Sequence, residues 1–519
     1  MMNVYRRSRR SWSSGKPVMK SMKYGFALTF ILVIVLTFFL FQSTDQMKRN
    51  QNQGDRSRQN AALVFYCAAG IKPPVERIAK AYEEEYGIPV QLQYGGSGTL
   101  LSNLAVSRRG DLYLAGDQSY IQIALEKNLL AESIPLAYMT PVIAVQKGNP
   151  KNMQSLRDLL REDVKVAMGS PDAASIGRTV QQLLTKSGDW DTLKEQITVF
   201  KPTVNEVAND IKIGAVDAGI VWDALAKQYP ELDMIHIPQL DVGKEQITIG
   251  VLKSAAHPAA SLRFARYLAA RDKGLPEFEK FGYEIVDGDA WAETPNVLLF
   301  SGGVNRVAIQ DSIEEFQKRE GCIVNTVYNG CGILVGQMKT GQQPDAYFAC
   351  DVSFMTQVAD LFPDATDISQ TDMVVAVARE NPQTIRSIED LARPGLKIGL
   401  ANEQQSALGA LTARLLKEMN LYDAITKNDG PRTPTADLLV NQLLVGSLDA
   451  AIVYEVNTSQ ARDKLQVIRI DHPAAHAIQP FAVGKHAKYP YLTQRLMQTI
   501  RSAPSRQRFE SIGFRWLDQ

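Results

Sequence analysis

Small and hydroxyl-bearing residues stand at two positions where a strand is predicted to lead into a helix. GSGT occupies Gly96–Thr99, and SPDAASIGRT occupies Ser170–Thr179. Loops of this kind expose backbone N–H groups, and the helix dipole adds partial positive charge, so they can hold an oxyanion without a basic residue. Either segment could equally be an ordinary N-cap or a tight turn. Several such corners facing one cleft would favour anion binding.

Other kinds of chemistry find little support in the sequence. His472 and His476 have a spacing that can bind a metal on a helix, but Pro473 between them favours a loop. The sequence contains no nucleophile elbow, phosphate-binding loop, zinc-protease motif or paired carboxylates. We therefore predict no catalytic residues, no metal and no cofactor.

Four cysteines in 519 residues are too few for a fold built on disulfides. Cys331 and Cys350 both follow predicted strands at the edge of the cleft expected in the second half of the chain. They could form a disulfide in an oxidising compartment, or they could be buried small residues, and we favour the second interpretation. Cys67 and Cys322 show no pairing pattern.

Alternating strands and helices must position these corners. The predicted helix at Pro73-Pro74 has proline in its first turn and ends at Gly87. Buried β segments separated by helices predict an α/β fold with parallel sheet and crossover connections, in which ligands bind beyond the carboxyl ends of the strands. In the first half, the predicted strands are Leu63–Ala69, Pro89–Tyr94, Asp111–Gly116, Val164–Gly169, Ile197–Phe200 and Ala218–Trp222.

The chain repeats itself at a nearly constant interval. YGGSG at Tyr94–Gly98 recurs as YNGCG at Tyr328–Gly332, 234 positions later, and GAVDAGIVW from Gly214 recurs as GSLDAAIVY from Gly446, 232 positions later. This interval is far too long for a solenoid, and each half is long enough to bury a core. We predict two tandem domains, residues 61–290 and 296–519, and expect each to fold by itself.

The N-terminal region has the composition of a membrane anchor. Residues 1–23 carry seven basic residues and no acidic residue, and residues 24–41 form an uncharged, apolar run of 18 residues. At about 1.5 Å per residue, that run nearly spans the hydrocarbon core of a bilayer. A cleaved signal peptide is the alternative, although its apolar region is usually shorter. We predict an uncleaved transmembrane helix with a cytoplasmic N-terminus, a flexible linker over residues 42–60, and exported domains.

These motifs, in this order, resemble the periplasmic molybdate-binding proteins of ABC transporters. The order runs from YGGSGTL and DLYLAGDQSYI through TPVIAVQKGNP to GAVDAGIVW. More broadly, each half is similar to the type II periplasmic binding proteins for molybdate, tungstate, sulfate and other oxyanions. The resemblance implies two tandem domains, each of two α/β lobes that close on a tetrahedral anion, after the N-terminal transmembrane helix. It also implies that the chain crosses to the second lobe near residues 140–148 and 371–380 and returns near 235–250 and 468–484.

The resemblance further implies which residues line each cleft. Gly70 and Val304 stand where the family has a serine after its first strand, and Trp222 stands where it has a tyrosine, which Tyr454 retains. The corner at Ser175–Ile176 is paired with Ser406–Ala407 in the second half. The implied ligand-binding residues are Ala69, Gly70, Ser97, Gly98, Thr99, Ser175, Ile176, Thr203 and Trp222 in the first half, and Gly303, Val304, Cys331, Gly332, Ser406, Thr435 and Tyr454 in the second.

The function implied is capture of an oxyanion outside the cytoplasmic membrane and its delivery to an ABC permease. A site of donors without acceptors favours molybdate, tungstate or sulfate over phosphate, whose O–H group needs an acceptor. Lys+Arg 57 against Asp+Glu 56 gives a net charge of +1, which does not suggest a nucleic-acid partner. The alternative function is a ligand-sensing or scaffold protein built from two binding domains without a transport role.

Overall fold

The computed structural model describes residues 62–428 and 430–517. The predicted basic segment, transmembrane anchor and linker, residues 1–60, lie outside the described residues. Within the described part of the chain, no helix is both long enough and apolar enough to cross a membrane. We call residues 62–286 domain 1 and residues 296–517 domain 2.

Domain 1 contains eleven strands arranged in two sheets. The six-stranded sheet of the first lobe has the order β11-β4-β10-β3-β1-β2, and the five-stranded sheet of the second lobe has the order β7-β6-β8-β5-β9. The strands are β1 (Leu63–Ala68), β2 (Val90–Gly95), β3 (Leu112–Leu114), β4 (Leu130–Met139), β5 (Pro141–Gln146), β6 (Val166–Gly169), β7 (Ile197–Lys201), β8 (Ala218–Trp222), β9 (Leu232–Ile235), β10 (Glu245–Leu252) and β11 (Glu284–Ile285).

Most helices of domain 1 follow a strand. The first, Lys72–Tyr86, has prolines in its first turn, buries Val75, Ile78 and Tyr82 on one face, and ends at Gly87 with φ 68°. The helices of domain 1 are Lys72–Tyr86, Ser97–Ser107, Gln118–Glu126, Ser175–Ser187, Trp190–Gln196, Val204–Lys212, Asp223–Ala226, Pro238–Asp241, Pro258–Leu268 and Leu275–Lys280, with 3-10 turns at Ala69–Ile71 and Leu156–Leu160.

Domain 2 repeats this plan with one difference. Its strand β15 runs without a break through both lobes, so the strands of both lobes form one hydrogen-bonded network of ten. In domain 1, Thr140 interrupts the same path between β4 and β5. The strands are β12 (Asn296–Gly302), β13 (Ile323–Asn329), β14 (Ala346–Phe348), β15 (Thr366–Ala378), β16 (Ile398–Ala401), β17 (Arg432–Thr433), β18 (Ala450–Tyr454), β19 (Leu465–Arg469), β20 (His476–Val483) and β21 (Arg515–Trp516).

Most helices of domain 2 also follow a strand. The first buries Ile309, Ile313 and Phe316 on one face and ends at Gly321 with φ 62°. They are Arg306–Glu320, Cys331–Lys339, Val352–Thr356, Ala407–Glu418, Tyr422–Thr426, Ala436–Leu444, Pro490–Ile500 and Ala503–Ile512, with 3-10 turns at Gly303–Asn305, Glu389–Ala392 and Glu455–Ala461.

The sheets are mixed, so the prediction of parallel sheet was only partly right. β1 pairs in parallel with β2 and β3, but β10 runs antiparallel to β3 and β4, and β5 runs antiparallel to β8. β5 and β10 follow the two places where the chain passes between lobes, and their direction follows from that passage. A buried apolar run reads the same in either direction, which is why the sequence did not reveal the reversal.

Buried charges join the two domains. Glu320, at the end of the helix Arg306–Glu320, is fully buried, and Arg495 binds it with two hydrogen bonds of 2.9 Å. Arg266 of domain 1 reaches the same carboxylate at 3.3 Å. Each domain has its own hydrophobic core, and Tyr491 of domain 2 packs against the core of domain 1.

Candidate functional site

The cleft of domain 1 encloses a small cavity where helices from both lobes begin. The helices Ser97–Ser107 and Lys72–Tyr86, the latter through its 3-10 turn, reach it from the first lobe, and Ser175–Ser187 and Val204–Lys212 reach it from the second. Helix N-termini present unpaired N–H groups and partial positive charge. The cavity is lined by Ala68, Ala69, Gly70, Ile71, Gly95, Gly96, Ser97, Gly116, Met139, Ala174, Ser175, Thr203, Val204 and Trp222.

Ser97 is held in place from two sides. Its Oγ accepts a hydrogen bond of 3.0 Å from the N–H of Gly116, and its carbonyl accepts one of 2.8 Å from the hydroxyl of Tyr113. The side chain is 1 % exposed. Because the backbone donor occupies the oxygen as an acceptor, the hydroxyl hydrogen of Ser97 can be donated into the cavity.

Ser175 and Trp222 form the opposite wall. The indole N–H of Trp222 donates to Ser175 Oγ at 3.3 Å, a long hydrogen bond between two side chains that both line the cavity. A side chain at Gly116 would place its Cβ 2.3 Å from Ser175 Oγ. Glycine at position 116 therefore allows Ser97 and Ser175 to approach the same spot from different lobes.

Other predicted residues of domain 1 have structural roles. Thr203 lines the cavity, but it caps the helix Val204–Lys212: its Oγ1 donates to the Glu206 carboxylate at 2.9 Å and accepts from the Glu206 N–H. Thr99 is exposed on its helix, and Ile176 is buried in the core. Both were predicted to line the cavity, and neither does. Their positions next to Gly98 and Ser175 along the helix turn them away from the cleft.

The glycines of the GSGT corner make room for the opposite lobe. The N–H of Gly98 donates to the carbonyl of Ala173 across the cleft at 2.9 Å. The prediction that this amide points at an anion is therefore wrong. A Cβ at Gly96 would lie 2.3 Å from the carbonyl oxygen of Pro202, and one at Gly98 would lie 2.1 Å from that of Asp172. The lobes therefore meet backbone to backbone around Ser97, in a closed arrangement.

A buried carboxylate strengthens this contact between lobes. Asp117 of the first lobe is fully buried, and its Oδ2 accepts a hydrogen bond of 3.2 Å from Thr179 of the second. Burial raises the pKa of Asp117 above its ordinary value. Burial and the charge of Asp117 also raise the pKa of Glu245, at the start of the returning strand β10, to about 7.

The cleft of domain 2 has the same architecture with different chemistry. Its cavity is lined by Gly303, Val304, Asn329, Gly330, Cys350, Ser406, Leu408, Pro434, Thr435, Ala436, Asp437, Tyr454 and Asn457. Asp437 brings a carboxylate into this lining, held by the side-chain amide of Asn457 at 2.7 Å. The hydroxyl of Tyr454 is buried without a hydrogen-bond partner among the described residues.

Two of the predicted residues of domain 2 lie behind the cavity. Cys331 is fully buried, and Gly332 donates its N–H to the carbonyl of Gln405 at 3.1 Å, as Gly98 does in domain 1. That shared bond also corrects the pairing of the serines: Gln405 matches Ala173, so Ser406 corresponds to Ala174 and Ala407 corresponds to Ser175. Ser175 and Ser406 lie near the same corner of the two domains but differ by one position in the alignment of the repeats. The predicted pairing of Ser175 with Ser406 was therefore wrong by one residue.

The comparison with protein families identifies the fold. The family model for bacterial extracellular solute-binding proteins matches residues 63–284 and, a second time, residues 297–515. The chain belongs to this family. The two matches confirm two tandem binding-protein-like domains with mixed α/β sheets.

Individual solute-binding proteins match one domain's length of this chain. A binding protein of Haemophilus influenzae is 30% identical over 203 residues, 39% of this chain and 82% of its own. The molybdate-binding protein ModA of Escherichia coli is 24% identical, over 45% of this chain and 92% of its own. The solved periplasmic molybdate-binding protein of Azotobacter vinelandii is 17% identical with a TM-score of 0.38, covering 43% of this chain and 100% of that one. The family match and the sequence similarity to ModA confirm the resemblance inferred from the motifs.

Some lining residues of this solute-binding protein were missed by sequence reasoning. Gly116 stands in the DLYLAGDQSYI segment that carries the family resemblance, so its place beside the cleft could have been found. Asp437 and Asn457 come from separate elements of domain 2, and only the folded chain brings them together. Asp437 corresponds to Asn205 in domain 1, 232 positions earlier, so the two clefts differ by a charge.

Proposed function

We propose that this chain is a membrane-anchored, extracytoplasmic solute-binding protein that captures a fully ionised tetrahedral oxyanion in domain 1 for an ABC permease. The observation that carries the proposal is the cavity of domain 1, where helix N-termini of both lobes converge on Ser97, Ser175 and Trp222. The side chains that line this cavity carry no charge, so an anion there would be held by hydroxyls, an indole N–H and backbone amides. Relatives named as molybdate-binding proteins support this ligand class.

Phosphate fits this cavity less well than molybdate, tungstate or sulfate. At neutral pH phosphate carries an O–H group, which needs an acceptor in a buried site. The carboxylates of Asp117 and Asp172 are close in sequence to lining residues, yet neither belongs to the lining. The Asp117 carboxylate is already used by Thr179, Ser119 and the N–H of Tyr120.

Domain 2 is not the oxyanion site in this proposal. The carboxylate of Asp437, whose pKa is raised by burial, lies in its cavity wall and in its ionised form repels an anion. Cys331 and Ala407 stand where domain 1 has Ser97 and Ser175. Each hydrogen bond to a charged group is worth about 1.5–3 kcal/mol, so loss of the hydroxyls alone weakens binding by roughly tenfold or more per hydroxyl. We expect one oxyanion to bind per chain.

Calorimetric titration of the full chain with molybdate, tungstate, sulfate and phosphate tests this function. We expect binding of the first three at one site per chain. Replacing the domain 1 hydroxyls by the residues of domain 2, Ser97→Cys with Ser175→Ala, is expected to lower the affinity by about a hundredfold or more. Ser406→Ala is the matched removal of a cleft hydroxyl in domain 2, and we expect it to leave the titration unchanged.

Two results would contradict the proposal. Unchanged affinity in the Ser97→Cys, Ser175→Ala variant would place the site elsewhere, and a loss of binding in Ser406→Ala would assign it to domain 2. Circular dichroism and thermal melting of each variant separate loss of binding from loss of folding.

Anchoring forms a separate part of the proposal, based on residues 1–41. We expect the mature protein to stay in the membrane fraction, with both domains accessible to protease added outside the cytoplasmic membrane. A soluble mature protein that begins between residues 42 and 60 would show instead that the apolar run is a cleaved signal.

A further inference from the structure

The two domains differ sharply at one corner of the cleft. In domain 1, the Oγ of Ser97 accepts the N–H of Gly116 at 3.0 Å. In domain 2, the matching residues, 234 positions later, are Cys331 and Cys350, and the Cys331 Sγ accepts the N–H of Cys350 at 3.1 Å. The backbone geometry of the corner is thus kept, while a hydroxyl and a hydrogen atom are replaced by two thiols.

The two sulfur atoms are in direct contact. Their Sγ atoms lie 2.7 Å apart, about 0.7 Å beyond the S–S bond length of about 2.05 Å. Both cysteines are free and buried, with Cys331 fully buried and Cys350 5 % exposed in the cavity wall. Closing this gap of about 0.7 Å would bring the two sulfurs to bonding distance.

A third position is matched to the pair. Gly302, at the end of β12, stands where domain 1 has Ala68, and a Cβ there would lie 2.1 Å from the Sγ of Cys350 and 3.0 Å from that of Cys331. The missing methyl group leaves the space that the sulfurs fill. Two buried cysteines kept only for packing would not need to touch each other beside a glycine.

We propose that Cys331 and Cys350 are a site of reversible disulfide formation in the cleft of domain 2. The oxidant is a small disulfide or a thiol–disulfide oxidoreductase of the extracytoplasmic space. The sulfur of Cys350, which lines the cavity, loses its proton as it attacks the disulfide and releases one thiol, and the sulfur of Cys331 then displaces the second thiol from Cys350. Two electrons pass to the oxidant, and the two cysteine protons end on the two released thiols.

The contact between the two sulfurs changes the pKa of both thiols. Burial by itself raises the pKa of the Cys331 thiol, but the hydrogen bonds from the thiol and the N–H of Cys350 outweigh it and lower that pKa. The same hydrogen bond, together with burial, raises the pKa of the Cys350 thiol well above its ordinary value. Cys67 and Cys322 are the comparison within the same chain: burial raises the pKa of both thiols, and neither has a hydrogen bond to another cysteine.

Oxidation of the purified full chain with 2-hydroxyethyl disulfide tests the proposal. Free thiols are then blocked with a maleimide in denaturant, and tryptic peptides are mapped by mass spectrometry. We expect Cys331 linked to Cys350, with the maleimide on Cys67 and Cys322, and we expect dithiothreitol to reverse the link. Cys322 and Cys331 share one tryptic peptide, because no Lys or Arg lies between them, so fragment spectra must place the maleimide on Cys322.

The Cys331→Ser variant restores the residue of domain 1 and serves as the control. It should stop at a mixed disulfide on Cys350, which shows that the oxidant reaches the cavity wall. Maleimide on both Cys331 and Cys350 of the oxidised parent, a lasting mixed disulfide on its Cys350, or a link from Cys350 to Cys322 would each overturn the proposal. The mapping of the parent decides the matter even if the variant fails to fold.

Discussion

The charged contact between the domains predicts a large loss of stability on Glu320→Gln. The carboxylate of Glu320 is fully buried between Arg495, which binds it with two hydrogen bonds of 2.9 Å, and Arg266 at 3.3 Å. The side chains of the arginines are only 5% and 7% exposed. Removing the negative charge takes the hydrogen-bonded carboxylate away from two buried cations and leaves Arg495 only its weaker interactions with Glu132 and Asp289. Breaking a buried pair in this way costs about 3–5 kcal/mol.

Urea unfolding and thermal melting of the full chain measure this cost. For a unit of about 200 residues, each kcal/mol lowers the Tm by about 2–4 °C, so we expect domain 2 to melt about 6–20 °C lower. The loss should be nearly independent of salt, because buried pairs are weakly screened. A matched variant, Arg266→Met with Glu320→Leu and Arg495→Met, removes all three charges and should recover most of the loss.

Acidification gives an independent test of the same contact. Burial alone would raise the pKa of Glu320, but the charges of Arg495 and Arg266 outweigh burial, so its pKa in the folded protein is lowered. A lowered pKa contributes stability that is present above the unfolded-state value and is lost as the pH falls through the folded-state value. The difference between parent and Glu320→Gln should therefore shrink in acid. A loss below about 1 kcal/mol, or one abolished by salt, would refute the reasoning, since those are the properties of an exposed pair.

Three further predictions concern the lobes and the domains. The raised pKa of Glu245 should make stability fall as the pH rises from about 4.5 to about 7. This fall should amount to about 1 kcal/mol in urea unfolding after allowance for solvent screening, and Glu245→Gln should abolish it. An unchanged pH profile in the variant would argue against this assignment. Thr179→Leu installs the matching residue of domain 2, Leu411, and removes the hydrogen bond to Asp117. We expect oxyanion binding to weaken several-fold in calorimetry with little change in Tm. Equal affinity would show that this bond does not hold the lobes closed. Fragments 61–290 and 296–519 should each melt cooperatively in calorimetry. The second fragment should be about 1–3 kcal/mol less stable than domain 2 in the full chain, because Glu320 loses Arg266. An unfolded fragment would contradict the prediction of independent domains.

The local features of the fold were readable in the sequence. The helix after Pro73-Pro74 ends at Gly87, and β8 covers Ala218–Trp222, both as predicted, because proline, glycine and short buried β runs act through the chain's nearest neighbours. The order of strand-to-helix corners also placed Ser97 at the cleft, since strands of one sheet end at a common edge, and the family resemblance added Trp222.

Which way each group points was decided by the tertiary structure. The amide of Gly98 is directed at the carbonyl of Ala173 in the other lobe, and the glycines beside Ser97 are required by backbone atoms more than 70 positions away. The same holds for the one-residue shift that aligns Ala407, rather than Ser406, with Ser175. Contacts of this kind depend on how two lobes meet, and sequence spacing within one lobe carries no information about that distance.

The sequence by itself determined that this protein is a tandem pair of solute-binding domains, because the repeat and its motifs are local patterns that survive without any knowledge of packing. Only the tertiary structure decided that the two clefts differ in charge, that Cys331 and Cys350 touch beside Gly302, and that Glu320 is shared between the domains. Charge, thiol contact and buried ion pairs act over a few ångströms in space, between residues that the chain separates by 19 to 175 positions. The residue list supplies those groups, and the folded chain sets the distances on which their energies depend.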